Sequence, residues 1–267
     1  MDKQFSLTVL GSRGSVPVDG KNFVRYGGAT SCYKILAGDE EIYLDAGSGI
    51  VMAEPSPNTR ITILLTHMHL DHIIGLPFFV ALGHKNRPIE IFARERLSLS
   101  PQAALDKLIS PPFWPLKIGA YPANVKFHDL PRESFSIGEV AVEMMDGTHP
   151  QGSTIFRLTF DGKSLVYATD FEHTPDGCKN LAAFARGCDL LLYDAQYTAD
   201  EYENFRGFGH STPNVGISVA KEADAKKILF VHHAPRRTDD ELAALENYFF
   251  TVNKNVMFAK VGDEIFL

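Results

Sequence analysis

The sequence predicts a mixed α/β fold in which sheets pack on one another and helices cover their outer faces. Three observations carry the prediction. Short runs rich in β-branched and aromatic residues recur along the whole chain and outnumber helix-period stretches about two to one. Two of them, "ILLT" and "ILFV", are continuously apolar, as strands buried on both faces are, and each adjoins a helical pattern. The early stretch 31–45 reads as an antiparallel hairpin turning at "AGDEE". Layered sheets with outer helices satisfy all three.

In chain order the strand runs are "FSLTVL", "CYKILA", "EIYLDA", "ITILLT", "IEIFA", "VAVEMM", "TIFRLTF", "SLVYAT", "DLLLYDA", "KILFVHH" and a final "EIFL", most of them bounded by Gly, Asp or Pro. Helical periodicity is confined chiefly to 71–82, 102–109, 179–186, 213–225 and 239–250. "TPNVG" and "TDDEL" each place a capping residue before a helical run, the second with acids in the first turn, where the helix dipole favours them. No repeat of domain-building length and no low-complexity linker divides the chain, so 1–267 reads as a single domain.

Composition narrows the class. A 45% hydrophobic fraction with 22% charged residues is that of a globular protein, and no run of apolar residues is long enough to span a bilayer, so no membrane partner is expected. The N-terminal "MDKQFSLTVLGSRGS" alternates and breaks at Gly11, too short for a secretory signal core, and reads as the first strand of a cytoplasmic protein. Cys32, Cys178 and Cys188 lack CxxC spacing and read as small buried hydrophobes. A net charge of -7 opposes extended binding to nucleic-acid phosphates, with "HHAPRR" the only candidate basic patch.

The stretch "LLTHMHLDHIIGLPFF", residues 64–79, holds three of the ten histidines and an aspartate within six positions. "ITILLT" delivers His67 from the end of a buried strand, and His67 and His69 share a side if the backbone stays extended. Asp71 and His72 begin the helical pattern and can turn back toward the same point. A lone histidine is more often a satisfied core or surface residue. H-x-H-x-D-H, however, arises by accident in on the order of one such sequence in a thousand. This nitrogen and oxygen donor set suits Zn, Mn or Fe and lacks the thiolates of a closed structural zinc. Further ligands can come from other strand ends: His149 in "MMDGTHP", Asp170 in "LVYATDFEH", and His232 or His233 in "ILFVHH". Asp45 in "IYLDAGSG" has the same placement.

"THMHLDH", preceded by "YLDAGSG" and followed in order by "GTHP", "ATD" and "FVHH", resembles the metallo-β-lactamase superfamily across nearly the whole chain. The resemblance implies a four-layer αβ/βα sandwich with a dinuclear metal site along one edge. It implies that His67, His69 and His149 hold one metal and Asp71, His72 and His232 the second, with Asp170 bridging and Asp45 orienting a ligand from behind. A cysteine in place of Asp170 would mark many true β-lactamases, and a glutamate in place of His69 the flavodiiron oxygen reductases. Two divalent ions sharing a bridging carboxylate suit hydrolysis, with Asp71 also a candidate catalytic residue.

"GFGHSTPNVG" resembles the loop that supplies a proton-donating histidine in the ribonuclease Z and cyclic-phosphodiesterase branch, which makes His210 a candidate general acid for an alkoxide leaving group. Ser211 beside it is a candidate substrate contact, and Ser211 or Thr212 also suits a helix cap before Pro213. The opening "GSRGS" resembles the active-site rim of the same branch. Only about twenty residues separate His149 from Asp170, leaving no room for the long arm with which ribonuclease Z grips tRNA. With the acidic charge, this favours a small phosphodiester, such as a cyclic nucleotide or cyclic phosphate, and speaks against tRNA or extended nucleic acid as partner. Phe113 and Trp114, in "SPPFWPLKIGAYP", are candidates to stack on a substrate base or to plug the core. The rival expectations are a thioester, lactone or amide hydrolase on the same metals, and a non-catalytic metal-binding scaffold. Whether the chain forms a homo-oligomer is left open.

Overall fold

This computed structural model describes residues 4–57 and 59–267; Met1–Lys3, part of the N-terminal stretch read above, lie outside it. Its strands are β1 (Phe5–Gly11), β2 (Cys32–Ala37), β3 (Glu40–Leu44), β4 (Ile61–Leu64), β5 (Pro88–Ala93), β6 (Asn124–Asp129), β7 (Phe135–Ile137), β8 (Val140–Gly147), β9 (Ser153–Phe160), β10 (Lys163–Ala168), β11 (Leu190–Asp194), β12 (Ile228–Val231), β13 (Val256–Phe258) and β14 (Glu264–Phe266). The α-helices are α1 (Leu70–Ile73), α2 (Pro101–Leu108), α3 (Pro175–Phe184), α4 (Ala199–Tyr202), α5 (Pro213–Glu222) and α6 (Asp239–Val252).

Two seven-stranded sheets form, in the orders β14-β1-β2-β3-β4-β5-β6 and β13-β12-β11-β10-β9-β8-β7. Each is half antiparallel and half parallel: β3 to β6 run parallel in one, β10 to β13 in the other. The hairpin of β2 and β3 pairs antiparallel as expected, Ile35 opposite Ile42. Strand periodicity assigns the layers. In β10, Leu165 and Tyr167 enter the core between the sheets, while Val166 and Ala168 face the outer core under the helices. β11 repeats this, Leu190 and Leu192 inward, Leu191 and Tyr193 outward. The other outer core lies over β3 to β5 and holds Ile73, Leu76 and Leu105 from the helical layer. The architecture is the αβ/βα sandwich that the resemblance implied.

The helix starts follow capping chemistry. Thr174 and Thr212 each accept a backbone N–H ahead of a proline in the first turn, and Thr238 closes a capping box with Glu241. One expectation fails in form: 71–82 is no continuous helix but the single turn α1 followed by two 3₁₀ turns, Leu76–Phe78 and Val80–Gly83. Gly75 weakens helix continuation and Pro77 cannot donate to it. Strand β6 escapes the sequence because its "NVKFHD" is an edge strand with little apolar content, and β7 and β13 because they are three residues each. No helix is long and apolar enough to cross a membrane among the described residues, and all three cysteines are free.

Candidate metal centre

The parallel halves of both sheets aim their carboxyl ends at one edge. Asp45 follows β3, Thr66 and His67 follow β4, Asp170 follows β10, Asp194 ends β11 and His232 follows β12. His149 arrives after β8. Asp45, Asp170 and His232 have left-handed backbones, with φ of 59°, 51° and 60°. Non-glycine residues hold that strained conformation where surrounding structure over-determines it, as at functional sites.

The side chains form two groups about one carboxylate. His67 Nε2 and His149 Nε2 lie 3.8 and 3.6 Å from Asp170 Oδ1, and His69 Nδ1 lies 3.1 Å from His149 Nε2. On the other side His72 Nε2 and His232 Nε2 lie 3.1 and 3.3 Å from Asp170 Oδ2, with Asp71 Oδ2 3.1 Å from His232 Nε2. Asp170 thus turns one oxygen to each group. His233, the alternative to His232, points away: its Nε2 donates to the Ala259 carbonyl at 2.9 Å, its ring stacks on Phe258, and burial pushes it down to about 3.

The donor set fits divalent ions by its hydrogen bonding. Four of the five imidazoles engage the outer nitrogen, His232 Nδ1 being buried without a partner: His72 Nδ1 donates to Asp45 at 2.7 Å, His69 Nε2 to Gln151 Oε1 at 2.9 Å and His149 Nδ1 to the Gly209 carbonyl at 2.9 Å. Thr66 Oγ1, 3.0 Å from His67 Nδ1, itself bonds Asp45 and so accepts from the imidazole. In the tautomer that these outer bonds select, the inner nitrogens of the four rings carry lone pairs. Two of these, on His69 and His149, face each other at 3.1 Å, a repulsive approach unless a cation lies between them. The Nε2 atoms of His67 and His72 are buried without any hydrogen-bond partner although carboxylate oxygens approach them. Groups that converge on a common point rather than on one another are arranged as metal ligands.

Electrostatics agree. Burial would raise the Asp71 carboxyl, yet His72 and His232 hold it well below the usual range. Burial likewise opposes charge on His232, but Asp170, Asp71 and Asp194 raise it to about 9. The site demands positive charge. Asp45 is fully buried and accepts from Thr66 N–H at 2.8 Å and the Tyr167 hydroxyl at 2.8 Å besides His72, so its carboxylate is held by donors on three sides. Ser15, from the "GSRGS" stretch, donates its backbone N–H to Asp71 Oδ2 at 2.7 Å and lines the cleft above.

His210 lines the same cleft, with Phe208 beside it, and its ring stacks on His232 at 4.8 Å. Asp194 was not among the residues expected here. Its Oδ2 accepts from His210 Nδ1 at 2.9 Å and from the Asp170 N–H at 3.0 Å, while Oδ1 accepts from the Ser211 and Gln196 N–H groups, each at 3.1 Å. One buried carboxylate thereby fixes both His210 and Asp170. "LLLYDA" carries the same signal as "IYLDA", an aspartate at the end of an apolar strand, and could have revealed it. Glu172, also unexpected, accepts from the Gly207 and Gly209 N–H groups at 2.6 and 3.0 Å and ties down the loop that presents His210. Gly209 itself, at φ +91°, stands where a Cβ would lie 2.0 Å from His149 Nδ1.

One expected contact falls elsewhere. Ser211 is fully buried, its hydroxyl 2.8 Å from both His173 Nδ1 and Tyr193 Oη, so it underpins the loop and cannot meet substrate; Thr212 is the helix cap. Trp114 donates Nε1 to Tyr121 Oη at 2.8 Å and packs edge-on against Phe78, whereas Phe113 is exposed. Both line an apolar groove that shares Leu70 with the metal cleft. "HHAPRR" forms no basic patch, because both histidines are buried and Arg237 pairs with Glu201.

The sequence model of the family described as "Beta-lactamase superfamily domain" matches residues 41–233. A protein named ribonuclease Z from Bradyrhizobium sp. is 25% identical over 94% of this chain and 96% of its own length. Among solved structures, the metallo-beta-lactamase fold protein YhfI from Bacillus subtilis superposes with a TM-score of 0.76 at 22% identity, covering 100% of both chains. Human tRNase Z, short form, superposes at 0.69 with 19% identity, covering 97% of this chain and 98% of that one. These relatives overturn the expectation that tRNA and extended nucleic acid are excluded as partners. Relatives so named match nearly the whole chain, and a net charge averaged over the chain does not report local binding. With 193 of its 267 residues matched, counted from 41 to 233, the chain belongs to the metallo-β-lactamase superfamily and is one of its hydrolases.

Proposed function

We propose that the protein is a metal-dependent phosphodiesterase with a dinuclear centre, built as one domain over residues 1–267, and that its substrates include small phosphodiesters such as a cyclic nucleotide or cyclic phosphate. His67, His69 and His149 would hold one ion and Asp71, His72 and His232 the other, with Asp170 shared. Zn or Mn suits these donors, and Fe is also accommodated. When bound, divalent ions supply Lewis acidity, making water at the site more acidic and neutralising charge on phosphate oxygens. Free cysteines support a cytoplasmic setting.

The observation that carries the reading is the His210–Asp194 pair at the cleft wall. With Nδ1 held by Asp194, the protonated imidazole presents Nε2 to the leaving oxygen. Water attacks phosphorus and releases its proton to solvent, while Asp71, fixed by the Ser15 N–H at its Oδ2, helps to position it. The bond from phosphorus to the leaving oxygen breaks as the His210 proton moves to that oxygen. An alkoxide needs this proton because its conjugate acid is weak; a thiolate does not.

The test uses Mn- or Zn-loaded protein. Asp71→Ala should abolish hydrolysis of bis(p-nitrophenyl) phosphate, and His210→Ala should abolish hydrolysis of a diester with an alkyl leaving group. Unchanged rates in both variants would remove the proposal, and thioester turnover indifferent to His210→Ala would point to the thioesterase alternative. A second reading, cleavage of tRNA precursors, is favoured by the relatives named ribonuclease Z, and the same variants assayed on a precursor tRNA test it.

A further inference from the structure

Beside the histidine-rich half of the centre lies a cavity of about 240 Å³ that the chemistry above does not use, lined by Arg94, Arg96, Gln151 and Gly152 together with His67 and His69. Arg94 and Arg96 follow the end of β5, and both line the cavity. Both reach the same atom: Asp146 Oδ1 lies 3.6 Å from Arg94 Nε and 3.7 Å from Arg96 Nη2, too far for a hydrogen bond to either. That carboxylate is 69% exposed, whereas the two guanidinium side chains are 25% and 20% exposed. Two cations face one loosely placed anion. The Nε atoms of both arginines are buried without a hydrogen-bond partner.

The backbone is shaped around this feature. Arg96 Nη2 donates to Thr154 Oγ1 at 3.2 Å and Nη1 to the Gln151 carbonyl at 3.4 Å, while the Gln151 side chain accepts from His69. Gly152, at φ +82°, leaves the guanidinium its place, since a Cβ there would lie 2.2 Å from Arg96 Nη1. The rim is the tight turn Arg96 to Leu99, whose central residues Leu97 and Ser98 both have left-handed φ, 53° and 56°. Such turns ordinarily take Asn or Gly, and strain of this kind gathers at ligand clamps.

We infer that Arg94 and Arg96 seat a second, terminal phosphate of the substrate, one residue away from the metal ligand His69. This rests on the phosphodiesterase reading and narrows it to diesters that carry a phosphomonoester besides the scissile bond. Two guanidinium groups with free donors match a phosphate dianion, which offers three terminal oxygens; a carboxylate would be satisfied by one such fork. Asp146 then competes for the position the phosphate takes.

The test is equilibrium binding by titration calorimetry, on metal-loaded and on chelator-treated protein. The probes are alkanediol bisphosphates of three to six carbons and the matching monophosphates. At least one spacer should bind the native protein at least tenfold tighter than its monophosphate. That ratio should fall toward one in Arg94→Gln, which touches neither Gln151 nor His69, and in Arg96→Gln, while Asp146→Asn should raise it severalfold. No advantage for any bisphosphate, a ratio that survives both arginine substitutions, or a lowered ratio in Asp146→Asn would overturn the inference. Failure of the phosphodiesterase reading shows separately, as no turnover of bis(p-nitrophenyl) phosphate while the binding ratio and its loss persist.

Discussion

Replacing Asp194 by asparagine separates the two tasks that one buried carboxylate performs. Its Oδ2 accepts from His210 Nδ1 and the Asp170 N–H, and its Oδ1 from the Gln196 and Ser211 N–H groups. Asparagine has the same shape but one acceptor oxygen, so whichever way the amide turns, two of the four N–H donors meet an NH2 group. Two lost acceptors at about 1–3 kcal/mol each give an expected destabilisation of about 3 kcal/mol. For a chain of this size that is roughly 6–12 °C in melting temperature. The catalytic consequence is selective. Without the carboxylate His210 loses the acceptor that orients its ring, which removes about a hundredfold or more from general-acid catalysis. Diesters with an alkoxide leaving group should therefore lose that factor in kcat, while p-nitrophenolate, which departs without a proton, should be nearly unaffected once stability is matched by assaying well below the melting temperature. Calorimetry and paired leaving-group kinetics measure the two effects. Equal rate losses for both leaving groups would refute the reasoning, because Asp194 would then act on the whole site through Asp170 rather than on the acid through His210.

Other positions make separate expectations. Gly209→Ala, which places a methyl group against His149 and demands a left-handed backbone, should cut metal affinity by about 10–100-fold in a competitive chelator titration, with far smaller effect on secondary structure. Burial raises the Cys188 thiol to about 11 from 9.0, so the native protein holds its proton where the unfolded chain releases it. Stability should decline as pH rises from about 9 to about 11, and a disulfide reagent at pH 8 should label Cys188 only after unfolding. Leu192→Ala opens a cavity between the sheets and should cost about 2–5 kcal/mol in denaturant unfolding, leaving metal stoichiometry intact.

How far the site could be read from the sequence depends on the kind of contact. The ligands lie at strand ends, and strands announce themselves through apolar runs of period two, so His67, Asp170 and His232 were reachable by counting along "ITILLT", "LVYATD" and "ILFVHH". His232 was favoured over His233 by the same strand register, but the geometry behind that choice was not legible there. It depends on the left-handed turn at His232, which sends its ring toward Asp71 and leaves His233 against Phe258. Ser211 shows the converse error: its neighbour His210 faces the cleft, but the next side chain in the sequence turns inward to His173 and Tyr193.

The sequence by itself determined the layered α/β class, the strand list that carries it, and the density of imidazole and carboxylate donors that identifies a hydrolytic metal centre. These are properties of local composition and periodicity, which act within a few residues. Only the tertiary structure decided which nitrogen of each imidazole is free, that Asp194 holds His210 and Asp170 together, and that Arg94 and Arg96 flank the same site. Those facts join residues tens to more than a hundred positions apart, and their geometry exists only once the two sheets have packed and their strand ends share one edge.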